Sequence, residues 1–167
     1  VGINIQKGQK LVINAPIECA DFVRLVVKNA YEEGAKDVYV EWHDEKITLL
    51  KYMNAPLEVF QSFPKWKAEG FAQMSEEGAG FLSIAASNPE LLKDVDPKKI
   101  AEGNKSASMA LKKFREYTMN NKVSWSVISI PTADWAMKVF PGVDEEEAME
   151  KLWEAIFMTV RMDEEDP

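Results

Sequence analysis

The sequence has few of the residues on which common catalytic sites are built. It contains one cysteine, Cys19, and one histidine, His43, among 167 residues. A single cysteine excludes an internal disulfide, and its position on an apolar helical stripe predicts a buried, unreactive thiol. A single histidine excludes, within this chain, a zinc site with two histidine ligands. A Ser-His-Asp or Cys-His site would have to use His43, and no serine lies in a Gly-x-Ser-x-Gly elbow.

Long apolar runs and glycine-rich phosphate loops are also missing from the sequence. No run approaches the about 20 apolar residues that cross a bilayer, and no secretory signal is visible, so no membrane partner is expected. The low cysteine content favours a cytoplasmic location. The turn at residues 15–18 has no glycine, and residues 78–80 precede a strand, so neither matches the dinucleotide-binding fingerprint. Residues 103–106 lack the Gly-Lys-Ser/Thr end of a P-loop.

An excess of basic residues is absent as well. The formal net charge is −8, and residues 144–167 contain ten acidic and two basic residues, which accounts for all of it. The first 143 residues carry 18 charges of each sign. Nucleic-acid binding needs a basic footprint, so it is not expected for this chain.

Four short runs with β-like composition are present, and each is followed by a helical pattern. This alternation predicts an α/β domain with an open, mainly parallel sheet of about four strands and helices on both faces. Such a three-layer arrangement is flavodoxin- or Rossmann-like. The predicted strands are Lys10–Asn14, Asp37–Trp42, Gly80–Ala86 and Val123–Ile130.

The helical patterns have recognisable starts and ends. Apolar residues at helical spacing predict a helix over residues 19–30, which Gly34 would end. Residues 45–77 predict two or three helical pieces broken at prolines, and residues 96–120 predict one helix. The last helix is predicted to begin at Asp144 in a capping box. Of the tryptophans, Trp125 and Trp153 are predicted to pack in the core.

The stretch Glu41–Glu45, EWHDE, is the most concentrated group of polar residues with possible site chemistry. In an open parallel sheet, ligands bind beyond the carboxyl ends of the strands, where His43 and Asp44 are expected to lie near Asn88 and Thr132. An all-oxygen Mg²⁺ or Ca²⁺ site is one interpretation, but no loop of recognisable spacing supports it. The favoured interpretation is a solvated strand end at which Asp44 caps the next helix.

Five segments, which together span nearly the whole chain, carry a family resemblance. The sequence resembles the amino-terminal region of metallo-aminopeptidases of the aminopeptidase T type. The segments are NIQKGQKLVINAPIECADFVRLVVKNAYEEGAKDVYVEWHDE (4–45), YMNAPLEVFQSFPKW (52–66), GFLSIAASNPELLKDVDPKKI (80–100), NNKVSWSVISIPTADWAMKVFPG (120–142) and EKLWEAIFMTVRMDEEDP (150–167).

The resemblance implies a cytoplasmic, dimeric two-domain enzyme that removes amino-terminal residues from short peptides with two divalent metal ions, zinc or cobalt. Residues 1–167 would be its single amino-terminal α/β domain, excised from the longer protein. The family's metal ligands would follow Pro167, in a carboxy-terminal domain. No catalytic or metal-binding residue is therefore expected here, and no bound metal is expected on this fragment.

Two functions follow as expectations. In the first, the fragment supports the metal domain and helps to wall the substrate cavity. The candidate cavity or domain-contact residues are His43, Asp44, Trp42, Asn88 and Thr132. In the second, the chain is a free-standing flavodoxin-like module that binds a small anion or peptide. A chain that begins without Met, almost directly on a strand, and closes on a polar run favours the first.

Overall fold

A parallel sheet forms the centre of the molecule, as predicted. The computed structural model describes residues 2–86, 88 and 90–162, and within these residues the sheet has four strands in the order β2-β1-β3-β4. All three strand pairs are parallel. After β1, the chain forms β2 on one side of β1 and later forms β3 on its other side. The topological switch point therefore lies between β1 and β3. The strands are β1 Lys10–Pro16, β2 Asp37–His43, β3 Gly80–Ala85 and β4 Trp125–Ser129.

Helices connect and flank these strands. The described residues form α1 Ala20–Glu32, α2 Glu45–Asn54, α3 Lys65–Glu76, α4 Pro97–Ala110, α5 Lys112–Met119, α6 Ala133–Val139 and α7 Glu145–Thr159. Short 3₁₀ turns lie at Ile17–Cys19 and Leu57–Gln61. The prediction of up to three helical pieces over residues 45–77 is confirmed. No described helix combines the length and apolar character that a membrane crossing would require. Residues 163–166 of the acidic terminal segment lie outside the described residues.

Local sequence signals determine most helix ends. Aspartate or threonine side chains accept a backbone N–H at the start of four helices, which satisfies donors that the helix itself leaves free. These caps are Asp44 for α2, Asp96 for α4, Thr132 for α6 and Asp144 for α7. Gly34 follows α1 with a φ of 91°, a conformation that glycine adopts without steric cost. The predicted end of the first helix at Gly34 and the predicted start of the last helix at Asp144 are confirmed.

The single helix predicted over residues 96–120 is wrong. α4 ends at Ala110 and α5 begins at Lys112, because Leu111 has a non-helical ψ of 12°. The two helices pack against different partners: α4 contacts the 3₁₀ turn at residues 57–61, whereas α5 contacts α3. The short helix α6 was not predicted either.

Different helices cover the two faces of the sheet. On one face, α1 and Trp153 of α7 pack against the main core, which includes Leu11, Ile13, Leu82 and Ile84. Cys19 belongs to this core at 5% exposure, and burial raises the pKa of its thiol, so the predicted buried cysteine is confirmed. On the other face, α3 and α5 pack against a smaller cluster. Its members include Val12, Phe81, Val123, Phe71 and Phe114.

The prediction that Trp125 packs in the core is wrong. Its side chain is 45% exposed on the α3/α5 face, while Val123, two residues earlier on the same face, is buried. β4 carries apolar residues on both faces, so its alternation does not reveal which face is covered. Trp125 lies on the edge strand β4, level with its register partner Phe81 on β3, which is buried.

Candidate functional site at the carboxyl ends of the strands

The EWHDE stretch spans the end of β2 and the start of α2, and its side chains diverge. Alternation along β2 puts Glu41 and His43 on the α3/α5 face and Trp42 on the α1 face. Trp42 is 41% exposed at this edge strand. Asp44 is the cap of α2, with Oδ1 3.0 Å from the backbone nitrogen of Ile47. The five residues therefore do not converge on one point.

Glu41 forms a compact hydrogen-bonded group with two neighbours. Its carboxylate accepts the phenol of Tyr39 at 2.8 Å and pairs with the ammonium of Lys67 from α3. Burial raises the pKa of Glu41, but the hydrogen bonds and the positive charge of Lys67 outweigh it and hold the pKa below its ordinary value. Glu41 is thus a charged, partnered group that fastens α3 to β2.

Glu45 and Asp134 hold the segment that follows β3. Both oxygens of Glu45 accept the backbone N–H of Asn88, at 3.0 and 3.3 Å. The amide of Asn88 donates to Oδ2 of Asp134 at 3.2 Å, and its own Oδ1 accepts the N–H of Glu90. Asn88 therefore connects the first turn of α2 to the first turn of α6.

A second contact ties the same segment to α6. Lys138 of α6 pairs with Glu90 at 2.5 Å, and this hydrogen bond lowers the pKa of the Glu90 carboxyl. Thr132 caps α6 by accepting the N–H of Trp135 at 3.4 Å. The carboxyl ends of β2, β3 and β4 are in this way joined by side-chain hydrogen bonds into one edge, which we call the carboxyl edge.

The carboxyl edge brings three of the five predicted residues into one connected network. Asp44, Asn88 and Thr132 belong to it directly or through the adjacent residues Glu45 and Asp134. His43 precedes Asp44 and is half-buried on the α3/α5 face. Trp42 points to the other face. The predicted cap at Asp44 is confirmed.

The carboxylates of this edge act mainly as hydrogen-bond acceptors. Among residues 2–86, 88 and 90–162, no three His, Cys, Asp or Glu side chains lie together in a way that could hold a metal ion. Asp44 accepts from a backbone N–H, as does Glu45, and Asp134 accepts from an amide. The donor set of the described residues therefore does not fit a metal centre.

Sequence reasoning missed the partners that create this edge. Glu45 and Asp134 each lie in the first turn of a helix, which is a recognisable signal for a favourable helix-end charge. Their contacts with Asn88 span 43 and 46 residues, and the Lys67–Glu41 pair spans 26. No sequence spacing marks contacts of this range.

Comparison with known proteins gives a consistent family match. A family model described as thermophilic metalloprotease (M29) matches residues 1–167. Aminopeptidase 2 of Geobacillus stearothermophilus is 53% identical over all of this chain, and Aminopeptidase AmpS of Bacillus subtilis is 50% identical. The alignments cover 40% and 41% of those two proteins, so the chain spans well under half of their length.

A solved structure agrees with the fold. The chain is similar to wild-type AmpT from Thermus thermophilus with a TM-score of 0.87 and 38% identity. The match covers 94% of this chain and 40% of that one. The α/β architecture described above is therefore that of one part of a larger protein structure.

Proposed function

Because this chain belongs to the thermophilic metalloprotease (M29) family, we propose that it is the amino-terminal part of a metal-dependent aminopeptidase. The full-length protein would release amino-terminal residues from short peptides. The observation that carries the proposal is the alignment of the whole chain with 40% of a longer aminopeptidase at 53% identity.

The metal ligands are proposed to lie in the carboxy-terminal part of the full-length protein. The family name implies metal ions, and the sequence resemblance suggests two, zinc or cobalt. When bound, such ions polarise the scissile carbonyl and make a water molecule nucleophilic. The carboxylates of the carboxyl edge are engaged with N–H groups, which supports placing the ligands elsewhere.

The carboxyl edge is proposed to wall the substrate cavity. Open α/β sheets bind ligands outside the carboxyl ends of their strands, and His43, Asn88 and Thr132 are half-buried there. Asp44 caps α2, so its role would be to position the residues beside it. Trp42, on the other face, is proposed as a contact with a neighbouring domain.

A cytoplasmic homodimer is the proposed working form. Exposed apolar side chains near the end of α7 support a further protein contact there. They are Phe157, Met158, Val160 and Met162. The surplus of acidic residues in the same segment supports the absence of a nucleic-acid partner.

The alternative is a free-standing flavodoxin-like module that binds a small anion or peptide. It has the strand order β2-β1-β3-β4 in its favour. The relatives that align with the whole chain are named aminopeptidases, which favours the enzyme over this alternative.

The proposed function is tested with the full-length protein and the 167-residue chain side by side. Each is assayed for hydrolysis of a leucine chromogenic amide with Zn²⁺ or Co²⁺. The full-length protein is expected to turn over, to lose activity with a chelator and to regain it with metal. The 167-residue chain is expected to be inactive. Chelator-sensitive turnover by the 167-residue chain, or none by the full-length protein, would contradict the proposal.

A further inference from the structure

On β1, β3 and β4, the α3/α5 face of the sheet becomes more exposed toward the carboxyl ends of the strands. On β1, Val12 is 2% exposed, whereas Asn14, the next residue on the same face, is exposed. On the β4 side, Val123 is 6% exposed and Val127 is 57% exposed. Exposure therefore rises along the central strand β1 and the edge strand β4, whereas on the other edge strand, β2, Glu41 is paired with Lys67 and is 16% exposed.

The opposite face of β1, which α1 covers, behaves differently, since it is buried along the whole strand. On β1, Leu11, Ile13 and Ala15 have exposures of 1% or less. β1 is a central strand that is hydrogen-bonded to β2 and β3 on its two sides. Parallel sheets are ordinarily buried on both faces, so exposure of a central strand indicates a surface that another element covers.

The exposed half has a small, neutral and defined set of side chains. We call it the open sheet face, and it consists of Asn14, Ser83, Ala85, Val127 and Ser129. Asn14 and Ser83 are register partners across the switch point between β1 and β3. None of the five side chains is charged, and the neighbouring Glu41 is paired with Lys67. Its short side chains allow another element to approach closely.

We infer that the open sheet face is the docking surface for the carboxy-terminal part of the full-length polypeptide. This inference rests on the proposed function, which places this chain at the amino-terminal end of a longer enzyme. The relatives provide an occupant. The alignment covers 40% of Aminopeptidase 2, so about 60% of that protein lies outside the aligned portion. The mixed polar and apolar character of the face matches contacts between domains of one chain.

An extended peptide fits this surface less well. It gains affinity by adding to a free sheet edge, but the backbone groups of β1 and β3 are already used in the ladder. Trp125 and Val127, on the same face of β4, are 45% and 57% exposed, and a domain of the same polypeptide would cover both.

The test is cysteine labelling of the full-length protein. Val127→Cys is reacted with a maleimide, and the modified site is identified by mass spectrometry. Met109→Cys on α4, where the native side chain is 71% exposed, is the matched control, and the native Cys19 is buried. Docking predicts that Cys at 127 reacts at least about tenfold more slowly than Cys at 109, which corresponds to protection by roughly 1.4 kcal/mol. Ser129→Cys is expected to behave the same way and serves if the first variant does not fold.

The remaining outcomes separate the possible occupants. Equal labelling of Cys at 127 and 109 overturns docking, and protection that appears only with a saturating short peptide assigns the face to substrate instead. Protection that disappears on dilution assigns it to a second copy. Chelator-sensitive aminopeptidase activity is measured on the same samples. If Cys at 127 is labelled in a protein that has this activity, the docking inference is refuted and the proposed function stands. If Cys at 127 is protected in a protein that lacks this activity, the proposed function is refuted and the docking inference stands.

Discussion

At the scale of single residues, Glu41 shows how a carboxylate is kept charged beside the apolar part of a sheet. Its side chain is 16% exposed, so ionisation there is unfavourable unless the charge is paired. Lys67 and Tyr39 provide that pairing, and the pKa of Glu41 is lowered despite burial. The same contact holds the start of α3 against β2.

Replacement of Lys67 by Met is therefore expected to destabilise the fold in a pH-dependent way. A lowered pKa in the folded state stabilises the protein above the ordinary carboxyl value of 4.5, and this contribution is lost as the pH falls through the folded value. Lys67→Met should lower the free energy of unfolding by about 1–2 kcal/mol near pH 7. Urea unfolding of the 167-residue chain over a pH series should show the difference shrinking in acid.

Lys65→Met is the control for this experiment. Lys65 is 87% exposed and lies 3.5 Å from Glu69, so its loss should leave the unfolding free energy indistinguishable from that of the unsubstituted chain. An equal effect of the two substitutions at neutral pH would show that the Lys67–Glu41 pair has no special role.

At the scale of elements, two glycines inside helices have opposite surroundings. A Cβ atom added to Gly70 of α3 would meet nothing within 4 Å. One added to Gly103 of α4 would lie 3.0 Å from the phenol oxygen of Tyr52, whose ring stacks on Phe60 at 4.6 Å. Gly103 therefore allows α4 to approach Tyr52 of α2 and the 3₁₀ turn that contains Phe60.

Alanine at these two positions is expected to have different effects on stability. Gly70→Ala should raise the free energy of unfolding by about 0.5–1 kcal/mol, because alanine loses less backbone entropy in a helix. Gly103→Ala should lose that gain, since the Tyr52 side chain must shift by a few tenths of an ångström to admit the methyl. Both are measured by urea unfolding of the 167-residue chain.

A Tyr52→Phe background isolates the contact. Without the phenol oxygen, the nearest atom to the new methyl would be one of Phe60 at 3.6 Å, an ordinary contact distance. Gly103→Ala should then stabilise as Gly70→Ala does. If Gly103→Ala stabilises the chain equally with and without the phenol, the contact with Tyr52 is not the reason for the glycine.

At the scale of the whole molecule, the polar residues at the carboxyl edge hold helices and loops together. Asn88 alone accepts or donates hydrogen bonds with Glu45, Asp134 and Glu90. An edge with this role would shape a cavity, while the metal chemistry proposed for the enzyme would come from another part of the protein.

Substitution of His43 in the full-length protein tests whether the carboxyl edge shapes the cavity without binding the metal ions. His43→Ala should leave the number of bound metal ions unchanged, as measured by atomic emission after dialysis. The KM for short peptides should rise by roughly 2- to 10-fold, the effect of one lost polar contact, with a smaller change in kcat. His43→Gln, which keeps a polar side chain, should change KM less. Loss of one metal equivalent in His43→Ala would make His43 a ligand.

The four strands, their alternation with helices and the caps at Asp44 and Asp144 could all be predicted from the sequence. These features depend on neighbours within a few residues, so periodicity and capping chemistry record them directly. The same holds for Gly34 and for the breaks near Pro56 and Pro64. The fold class followed because a strand that alternates with helices has few ways to build a sheet.

Features that depend on distant partners came from the packed structure alone. Trp125 is exposed on the edge strand β4 although its register partner Phe81 is buried, and Leu111 interrupts a helix whose two halves pack on different surfaces. The Lys67–Glu41 and Glu45–Asn88 contacts join residues far apart in the chain. Periodicity shows that a side chain lies on a face, but only the packed neighbours determine whether that face is covered. The open sheet face is for that reason visible in the structure and not in the sequence.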